Sequence, residues 1–247
     1  MPIEAIICDW NVTLIDQPDE RPILRYIALD LFQRSIPFHP LRAVRLLNTS
    51  KALEVLYRQK RQDGEFDYVP EMYRLYNKMV IKDLPVSLIN QAVGNYAKKP
   101  ATQARLDHRI LRPVSERHKS GTPTGILSAA YKYGIRSILM RSEYSGCFGF
   151  IEANILGENG GKATGFHLDI YKNKDKYLSL LLNDKKLDSN KLAYIGDSED
   201  DTGCLEIAGY PIVAFLAPDG LKRKFAEKYH AFVPADEEDL MKYLNRA

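Results

Sequence analysis

A short apolar segment that ends at an aspartate does most to constrain the fold of this chain. Ile3 to Cys8 is apolar and rich in β-forming residues, and Asp9 follows it directly. Such a segment is typical of a strand buried on both faces of a parallel sheet. The carboxyl ends of parallel strands open into the crevice where α/β proteins bind ligands. We therefore interpret Asp9 as the nucleophile of a phosphoryl-transfer site.

A second apolar segment, near the other end of the sequence, ends in a similar way. Leu192 to Ile195 is followed by Gly196 and Asp197, with Asp201 shortly after. If both segments are strands of one parallel sheet, their carboxylates converge, and their repulsion is costly unless a cation lies between them. Mg²⁺ is the natural candidate because it prefers hard oxygen ligands and bridges carboxylates to phosphate oxygens. The alternative is an ordinary turn at Gly196 with a solvated aspartate.

The alternation of strands and helices stops after Asp16 and resumes near residue 121. Between these points, apolar residues at three- and four-residue spacing predict amphipathic helices, joined by turns at residues such as Pro37 and Gly64, over 23–32, 41–61, 70–81 and 86–98. We therefore predict an α/β fold in which a Rossmann-like three-layer core with a mainly parallel sheet (1–16 and 113–247) carries an inserted all-helical domain (17–112). With 247 residues, 45% of them hydrophobic, the chain is long enough for both.

The segment that follows the helical insertion supplies a further candidate at a strand end. Pro113 to Ser120 is polar, and we interpret it as the link that returns the chain to the sheet. Thr124 to Tyr133 is predicted as a helix and Ile135 to Met140 as a core strand. This register places Arg141 directly after a strand, with Ser142 one residue further.

The charge of the chain is distributed unevenly. Residues 17–120 carry a net charge of +8 and the remainder −5, which gives the overall +3. The basic part could steer a phosphorylated substrate toward an acidic, cation-binding centre, or it could be a solvated helical surface without a special purpose. We expect no nucleic-acid partner, because the sequence has no basic stripe interleaved with aromatic residues and no helix-turn-helix or zinc pattern.

Cysteine usage and hydropathy predict a cytoplasmic protein that does not enter a membrane. The three cysteines, Cys8, Cys147 and Cys204, are odd in number and show no CxxC spacing, so we expect reduced thiols. No apolar run approaches the length of a membrane span, and no leader-like segment is evident at the start of the sequence. The oligomeric state is not determined by the sequence.

Taken together, the motifs resemble the haloacid dehalogenase superfamily, in its phosphoserine-phosphatase-like branch. The first family motif, Asp-x-Asp-Gly-Thr after an apolar strand, is similar to residues 9–13, Asp-Trp-Asn-Val-Thr. The last motif, Gly-Asp-x-x-x-Asp, is matched by Gly196, Asp197 and Asp201. A lysine begins the preceding helix in that branch, 23 residues ahead of the motif's first aspartate, and this spacing selects Lys174. Residues 153–165 are similar to the branch's hairpin, and the helical insertion corresponds to its first-type cap domain.

The resemblance implies a role for each matched residue. Asp9 would attack phosphorus and form an aspartyl-phosphate. Mg²⁺ would be held by Asp9, the main-chain carbonyl of Asn11 and Asp197. Lys174, oriented by Asp201, would stabilise the phosphoryl oxygens, and the cap would exclude water.

The remaining substrate contacts implied by the resemblance come from two of the family's motifs. Thr13 of the first motif would contact the substrate, as would the residue that follows the strand of the second motif. The family has a serine or threonine at that position, and our register offers Arg141, which could bind phosphate through two hydrogen bonds, or Ser142.

The first motif departs from the family pattern at a residue that matters for catalysis. Where phosphatases carry an aspartate that protonates the leaving oxygen and later deprotonates the attacking water, this chain has Asn11, which cannot exchange a proton near neutral pH. Val12 also replaces the usual glycine. Because general acid–base catalysis contributes roughly 10²–10⁴-fold, we expect slow turnover unless another group substitutes.

Three functions are consistent with this sequence. The first is a Mg²⁺-dependent phosphomonoester hydrolase or phosphotransferase for a small phosphorylated metabolite. The second is a catalytically impaired relative that binds a phospho-ligand or a partner protein, which Asn11 favours. The third is a dehalogenase-type hydrolase, and the retained Asp197 motif counts against it. The identity of the substrate depends on side chains of the helical domain.

Overall fold

The computed structural model describes residues 2–35, 40–63 and 66–245. Internal contacts divide the chain into two compact units. The first, which we call the sheet unit, comprises Met1–Asp19, Pro100–Asn154 and Asp169–Ala247, and the second, the helical unit, comprises Glu20–Lys99 and Ile155–Leu168. The turns predicted at Pro37 and Gly64 lie outside the described residues.

Strands and helices alternate along the sheet unit. In chain order the strands are β1 (Ala5–Cys8), β2 (Thr124–Tyr131), β3 (Phe150–Asn154), β4 (Leu156–Asn159), β5 (Lys162–Phe166), β6 (Leu192–Gly196) and β7 (Tyr210–Val213). The helices are α1 (Arg21–Ser35), α2 (Pro40–Gln62), α3 (Tyr68–Tyr76), α4 (Val86–Ala97), α5 (Pro100–Gln103), α6 (His108–Lys119), α7 (Lys132–Leu139), α8 (Lys174–Lys185), α9 (Thr202–Ile207), α10 (Asp219–Tyr229) and α11 (Glu237–Leu244).

A five-stranded sheet in the order β3-β2-β1-β6-β7 forms the centre of the sheet unit. All four neighbouring pairs are parallel. The two segments that the sequence marks by a terminal aspartate, β1 and β6, are adjacent in its middle, and every residue of both is buried. The predicted Rossmann-like parallel sheet is therefore confirmed.

Helices cover both faces of this sheet, as expected for parallel strands buried on both sides. On one face, Ile7 and Tyr194 pack in a core cluster with Leu178 of α8, Leu205 of α9 and Phe225 of α10. Successive side chains of a strand point to opposite faces, so Ile6 and Cys8, both fully buried, belong to the other face. There α6 packs on β2 and on α11. The core thus has three layers.

The segment between residues 124 and 140 corrects the prediction made from its sequence. Thr124–Tyr131 is a strand, not a helix, and Lys132–Leu139 is a helix, not a strand. Because β2 is buried on both faces, it lacks the alternation that would have identified it. In α7 the three- and four-residue spacing is real: Ile135, Ile138 and Leu139 are buried, whereas Arg136 is exposed.

The polar segment predicted as a link, 113–120, is mostly helical. Residues 113–119 belong to α6, and Ser120 is its C-cap. This helix begins after the N-cap residue Asp107, whose side chain accepts a hydrogen bond from the main-chain N–H of Arg109. Pro113 is accommodated inside the helix.

The helical unit contains α1 to α4, which agree with the four helices predicted in the insertion. A π-helical turn, Asn77–Ile81, follows α3 directly. The hairpin β4–β5 is also part of this unit, because the Asn77 side chain accepts a hydrogen bond from the main-chain N–H of Phe166 (2.8 Å) and donates one to its carbonyl (3.1 Å). Across the described residues, no helix combines the length and apolar character that a membrane crossing requires.

Candidate active site

The register of the central strands brings three polar residues to one edge of the sheet. Cys8 pairs with Ile126 of β2 on one side and with Ile195 of β6 on the other. The main-chain N–H of Asp9 still donates to the carbonyl of Ile195 (2.9 Å). Ser128 and Asp197 each lie two residues beyond these partners, so they flank Asp9 at the carboxyl edge, where α/β proteins bind ligands.

Lys174 forms ion pairs with two buried carboxylates. Its ammonium lies 2.9 Å from Asp9 Oδ2 and 2.7 Å from Asp201 Oδ1, and its side chain is only 5% exposed. Lys174 is the first residue of α8. The spacing argument that selected it from a cluster of lysines therefore identified the one that the structure places beside Asp9.

The Asp201 carboxylate is held by donors on both of its oxygens. Oδ1 accepts from the Tyr194 hydroxyl (2.8 Å) as well as from Lys174. Oδ2 accepts from the main-chain N–H groups of Asp197 (3.0 Å) and Ser198 (3.2 Å). Gly196 is required here, because a Cβ at this position would lie 2.6 Å from Asp201 Cγ. Asp201 is thus suited to orienting Lys174.

Asp197 is held from the loop that follows β1. Thr13 donates a hydrogen bond to Asp197 Oδ1 (2.9 Å), and both side chains are buried. This contact links the two aspartate-bearing motifs through their side chains.

The electrostatics of the site are those of three buried carboxylates around one ammonium. Burial raises the pKa of Asp9, and burial together with the neighbouring charges of Asp201 and Asp9 raises the pKa of Asp197 to about 8. Burial also works against ionisation of Asp201, but Lys174 and the hydrogen bonds described above hold its pKa below the usual range. Burial alone would lower the pKa of Lys174, yet Asp201 and Asp9 raise it well above its ordinary value. The site has an excess of negative charge that a cation would neutralise.

The residues present fit a divalent cation. One oxygen from each of Asp9, Asp197 and Asp201 lies within 4.8 Å of the others. Asp9 Oδ1 is buried and has no hydrogen-bond partner among the described residues, which is costly unless a ligand supplies one. Since Asp201 is fully engaged with donors, Asp9 and Asp197 are the candidate ligands, and hard carboxylate oxygens suit Mg²⁺.

The loop after Asp9 has an unusual backbone. Val12 has φ of 55°, in the left-handed region that glycine favours and that is an outlier for a β-branched residue. Its main-chain N–H donates to the carbonyl of Ile15 (2.9 Å), and Asn11 pairs with Ile15 in an isolated bridge. The loop therefore retains the sharp turn that the usual glycine would allow, with Asn11 half-buried at its start.

Five of the predicted site residues come together, and two do not. Asp9, Thr13, Lys174, Asp197 and Asp201 form the connected cluster described above, with Asn11 in the adjoining loop. Arg141 and Ser142 follow α7, not a strand. Arg141 donates to the carbonyl of Ser137 (2.9 Å) and Ser142 to that of Leu139 (2.8 Å). A helix that follows a strand runs back along the sheet, so the end of α7 is directed away from the carboxyl edge.

Ser128 is a buried polar residue at the same edge that was not predicted from the sequence as part of the site. It is 2% exposed, and its hydroxyl accepts a hydrogen bond from the main-chain N–H of Ala130 (3.2 Å). The signal that could have identified it is the pattern seen at Asp9 and Asp197, an apolar run followed by a polar residue, here Gly-Ile-Leu-Ser over 125–128.

Comparison with known proteins identifies the fold. No family model and no curated protein matches this sequence. A substrate-bound phosphoserine phosphatase structure matches with a TM-score of 0.60 at 17% identity, covering 99% of this chain and 100% of that one. A HAD family hydrolase from Salmonella enterica serovar Typhi matches with a TM-score of 0.65 at 19% identity (100% and 73% covered). A cytosolic 5′-nucleotidase IIIB bound to cytidine matches with a TM-score of 0.59 at 15% identity (98% and 86%). The chain shares the fold of these phosphoserine phosphatases and HAD family hydrolases, which is the fold that the motifs predicted.

Proposed function

We propose that this chain is a Mg²⁺-dependent phosphomonoester hydrolase or phosphotransferase that acts on a small phosphorylated metabolite through an aspartyl-phosphate on Asp9. The observation that carries the proposal is the buried ammonium of Lys174, which pairs with Asp9 and Asp201 at the edge where Asp197 also lies. The fold, shared with phosphoserine phosphatases and HAD family hydrolases, supports the same chemistry.

The first chemical step uses the carboxylate of Asp9. One of its oxygens attacks phosphorus in line. The bond between phosphorus and the oxygen of the leaving alcohol breaks, and the electron pair of that bond stays on the alcohol oxygen. Lys174 lowers the pKa of Asp9 against the larger rise that burial causes, and it would stabilise negative charge on the phosphoryl oxygens. In the second step water attacks the aspartyl-phosphate, which releases phosphate and regenerates the carboxylate.

A metal ion would complete the site. Asp9, Asp197 and the main-chain carbonyl of Asn11 would hold Mg²⁺, which would act as a Lewis acid toward the phosphoryl oxygens. Thr13, predicted as a substrate contact, donates to Asp197, and we propose that it holds this carboxylate in position.

Ser128 takes the phosphate-binding role that the sequence analysis assigned to Arg141 or Ser142. This proposal rests on its place after the paired residues of β2, next to Asp9 at the carboxyl edge. The cap that selects the substrate, predicted from the sequence as 17–112, is proposed to be the helical unit, Glu20–Lys99 with Ile155–Leu168. A cytoplasmic location stays a prediction from the sequence.

Asn11 favours a second candidate, a catalytically impaired protein that binds a phospho-ligand or a partner. At this position the proposed mechanism needs a group that protonates the leaving oxygen and then deprotonates water, and an amide does neither. The two candidates differ in turnover and share the binding site.

Phosphate release distinguishes the two candidates. We would measure it over a panel of phosphomonoesters, with Mg²⁺ or with EDTA, for the unmodified chain, for Asn11→Asp and for Asp9→Asn as the inactive control. Asn11→Asp should increase Mg²⁺-dependent turnover at least about tenfold, because it restores a proton-transfer group. No turnover in the unmodified chain or in Asn11→Asp would favour the binding protein, and metal-independent halide release from 2-haloacids would favour a dehalogenase.

A further inference from the structure

Asn154 is a buried amide that joins two segments of the candidate site. It is the last residue of β3 and is 3% exposed. Its Nδ2 donates a hydrogen bond to the carbonyl of Ala129 (2.6 Å), and its Oδ1 accepts one from the main-chain N–H of Ile170 (3.1 Å). Both bonds are to main chain, so the side chain fixes the path of two separate segments.

The first of these segments is the end of β2. Pairing with β3 is irregular here, because the register shifts between Ser128 and Tyr131. Irregular strand ends are places where a side chain can be re-aimed toward a site. Ala129 directly follows Ser128, so the bond from Asn154 holds the backbone next to the Ser128 hydroxyl.

The second segment leads to Lys174. The chain leaves the sheet unit after Asn154 and returns to it at Asp169. From Ile170 it makes a tight turn, in which Asn173 N–H donates to the carbonyl of Ile170 (2.9 Å) and Lys172 has φ of 58°, and α8 then begins at Lys174. Holding Ile170 therefore holds the start of this turn.

We propose that Asn154 is a positioning residue that fixes the spacing between the Ser128 hydroxyl and the Lys174 ammonium, so that both can contact one phosphoryl group. The inference rests on the proposed function. An amide is needed because one segment offers an acceptor and the other a donor: an aspartate would supply acceptors only, and a leucine neither. Residues that orient the direct ligands of a site change its affinity about 10–100-fold when they are replaced.

Two variants and one control test this role. Asn154→Leu is neutral, has the same number of side-chain heavy atoms with the same branching, and removes both bonds. Asn154→Asp keeps the acceptor for Ile170 and removes the donor to Ala129. The control is Thr124→Val at the opposite end of β2, where a fully buried hydroxyl donates to the carbonyl of Cys147 (2.5 Å).

The readouts are the affinity for Mg²⁺ alone and the affinity for orthovanadate in the presence of Mg²⁺, both measured by calorimetry. Both Asn154 variants should bind orthovanadate at least about tenfold more weakly. Their affinity for Mg²⁺ should stay within about twofold, because Asp9 and Asp197 follow β1 and β6, which Asn154 does not bond. Thr124→Val should change neither value. Urea unfolding checks that each variant folds. If Asn154→Leu does not fold, the orthovanadate affinity of Asn154→Asp alone tests the positioning role.

Each other outcome overturns the inference. Orthovanadate affinity in the Asn154 variants equal to that of the unmodified chain would exclude a positioning role. A parallel loss of Mg²⁺ and orthovanadate binding, a similar loss in Thr124→Val, or failure of both Asn154 variants to unfold cooperatively would indicate a structural role only. If the unmodified chain itself does not bind orthovanadate with Mg²⁺, the proposed function fails, and this inference fails with it.

Discussion

Replacing Lys174 by methionine should destabilise the protein far more than replacing an ordinary lysine. Lys174 is 5% exposed and lies within 3 Å of two carboxylates, so Lys174→Met leaves three buried acids without their cation. Removing one partner of a buried ion pair typically costs 3–5 kcal/mol in the free energy of unfolding. Because Lys174 is paired with two acids, we expect Lys174→Met to cost about 4 kcal/mol. The loss should be largest at alkaline pH, because the acids can take up protons and neutralise themselves when the pH falls.

Urea unfolding in EDTA at pH 8 tests this expectation. The sole tryptophan, Trp10, is 1% exposed and adjoins Asp9, so its fluorescence reports unfolding at the site itself. Lys176→Met is the matched control, since Lys176 lies on the same helix and is exposed, and it should change the free energy of unfolding by less than about 0.5 kcal/mol. If Lys174→Met unfolds within about 1 kcal/mol of the unmodified chain at pH 8, then Lys174 does not balance buried charge, and the proposed site is refuted.

Three other predictions follow from the same geometry. Gly196→Ala should cost about 1–3 kcal/mol in urea unfolding, because its Cβ would overlap Asp201, whereas Gly220→Ala, with nothing within 4 Å, should be neutral or stabilising; equal effects would contradict the packing described. Ser128→Ala should weaken orthovanadate binding about tenfold or more and Ser142→Ala should leave it unchanged; the reverse order would return the phosphate-binding role to the end of α7. In EDTA the stability should fall as the pH rises from 5 to 8, because the pKa of Asp197, about 8 in the folded state, lies above its unfolded value near 4, so the folded state holds a proton that the unfolded chain has released. Mg²⁺ competes with that proton and should stabilise the protein more at pH 8 than at pH 6, and stability that rises with pH in EDTA would contradict the raised pKa.

The parts of the site that could be predicted from the sequence are those that follow a recognisable apolar strand directly. The strands before Asp9 and Asp197 are short apolar runs that end abruptly at an acid, and the convergence of these two acids follows from the geometry of a parallel sheet. Lys174 was selected only by the spacing that the phosphoserine-phosphatase-like branch shows ahead of the corresponding aspartate.

The strand that carries Ser128 could not be identified in the same way. It is buried on both faces, so its apolar residues do not alternate, and Ala129 and Ala130 favour a helix by intrinsic propensity. The neighbouring segment 132–139 is short enough for its apolar residues to be mistaken for a strand. Whether each of these segments forms a strand or a helix depends on how it is buried in the folded chain, which the local sequence does not record. The contacts of Asn154 depend on a register shift and on a chain segment that returns from the helical unit, which no local pattern records.

Asn11 is best understood through the charge of the site. With an aspartate there, a fourth carboxylate would lie two residues from Asp9, and each added buried negative charge disfavours the metal-free folded state. An amide at this position removes one of these charges and keeps the main-chain carbonyl that the proposed metal site uses. It also removes the group that exchanges protons with the leaving alcohol and with water. Active sites commonly show this opposition between stability and activity. We therefore expect Asn11→Asp to be less stable than the unmodified chain in EDTA and to regain much of the difference with Mg²⁺. If the gain in turnover came without any loss of metal-free stability, Asn11 would lie outside the field of Asp9 and Asp197, and its place in the mechanism would have to be withdrawn.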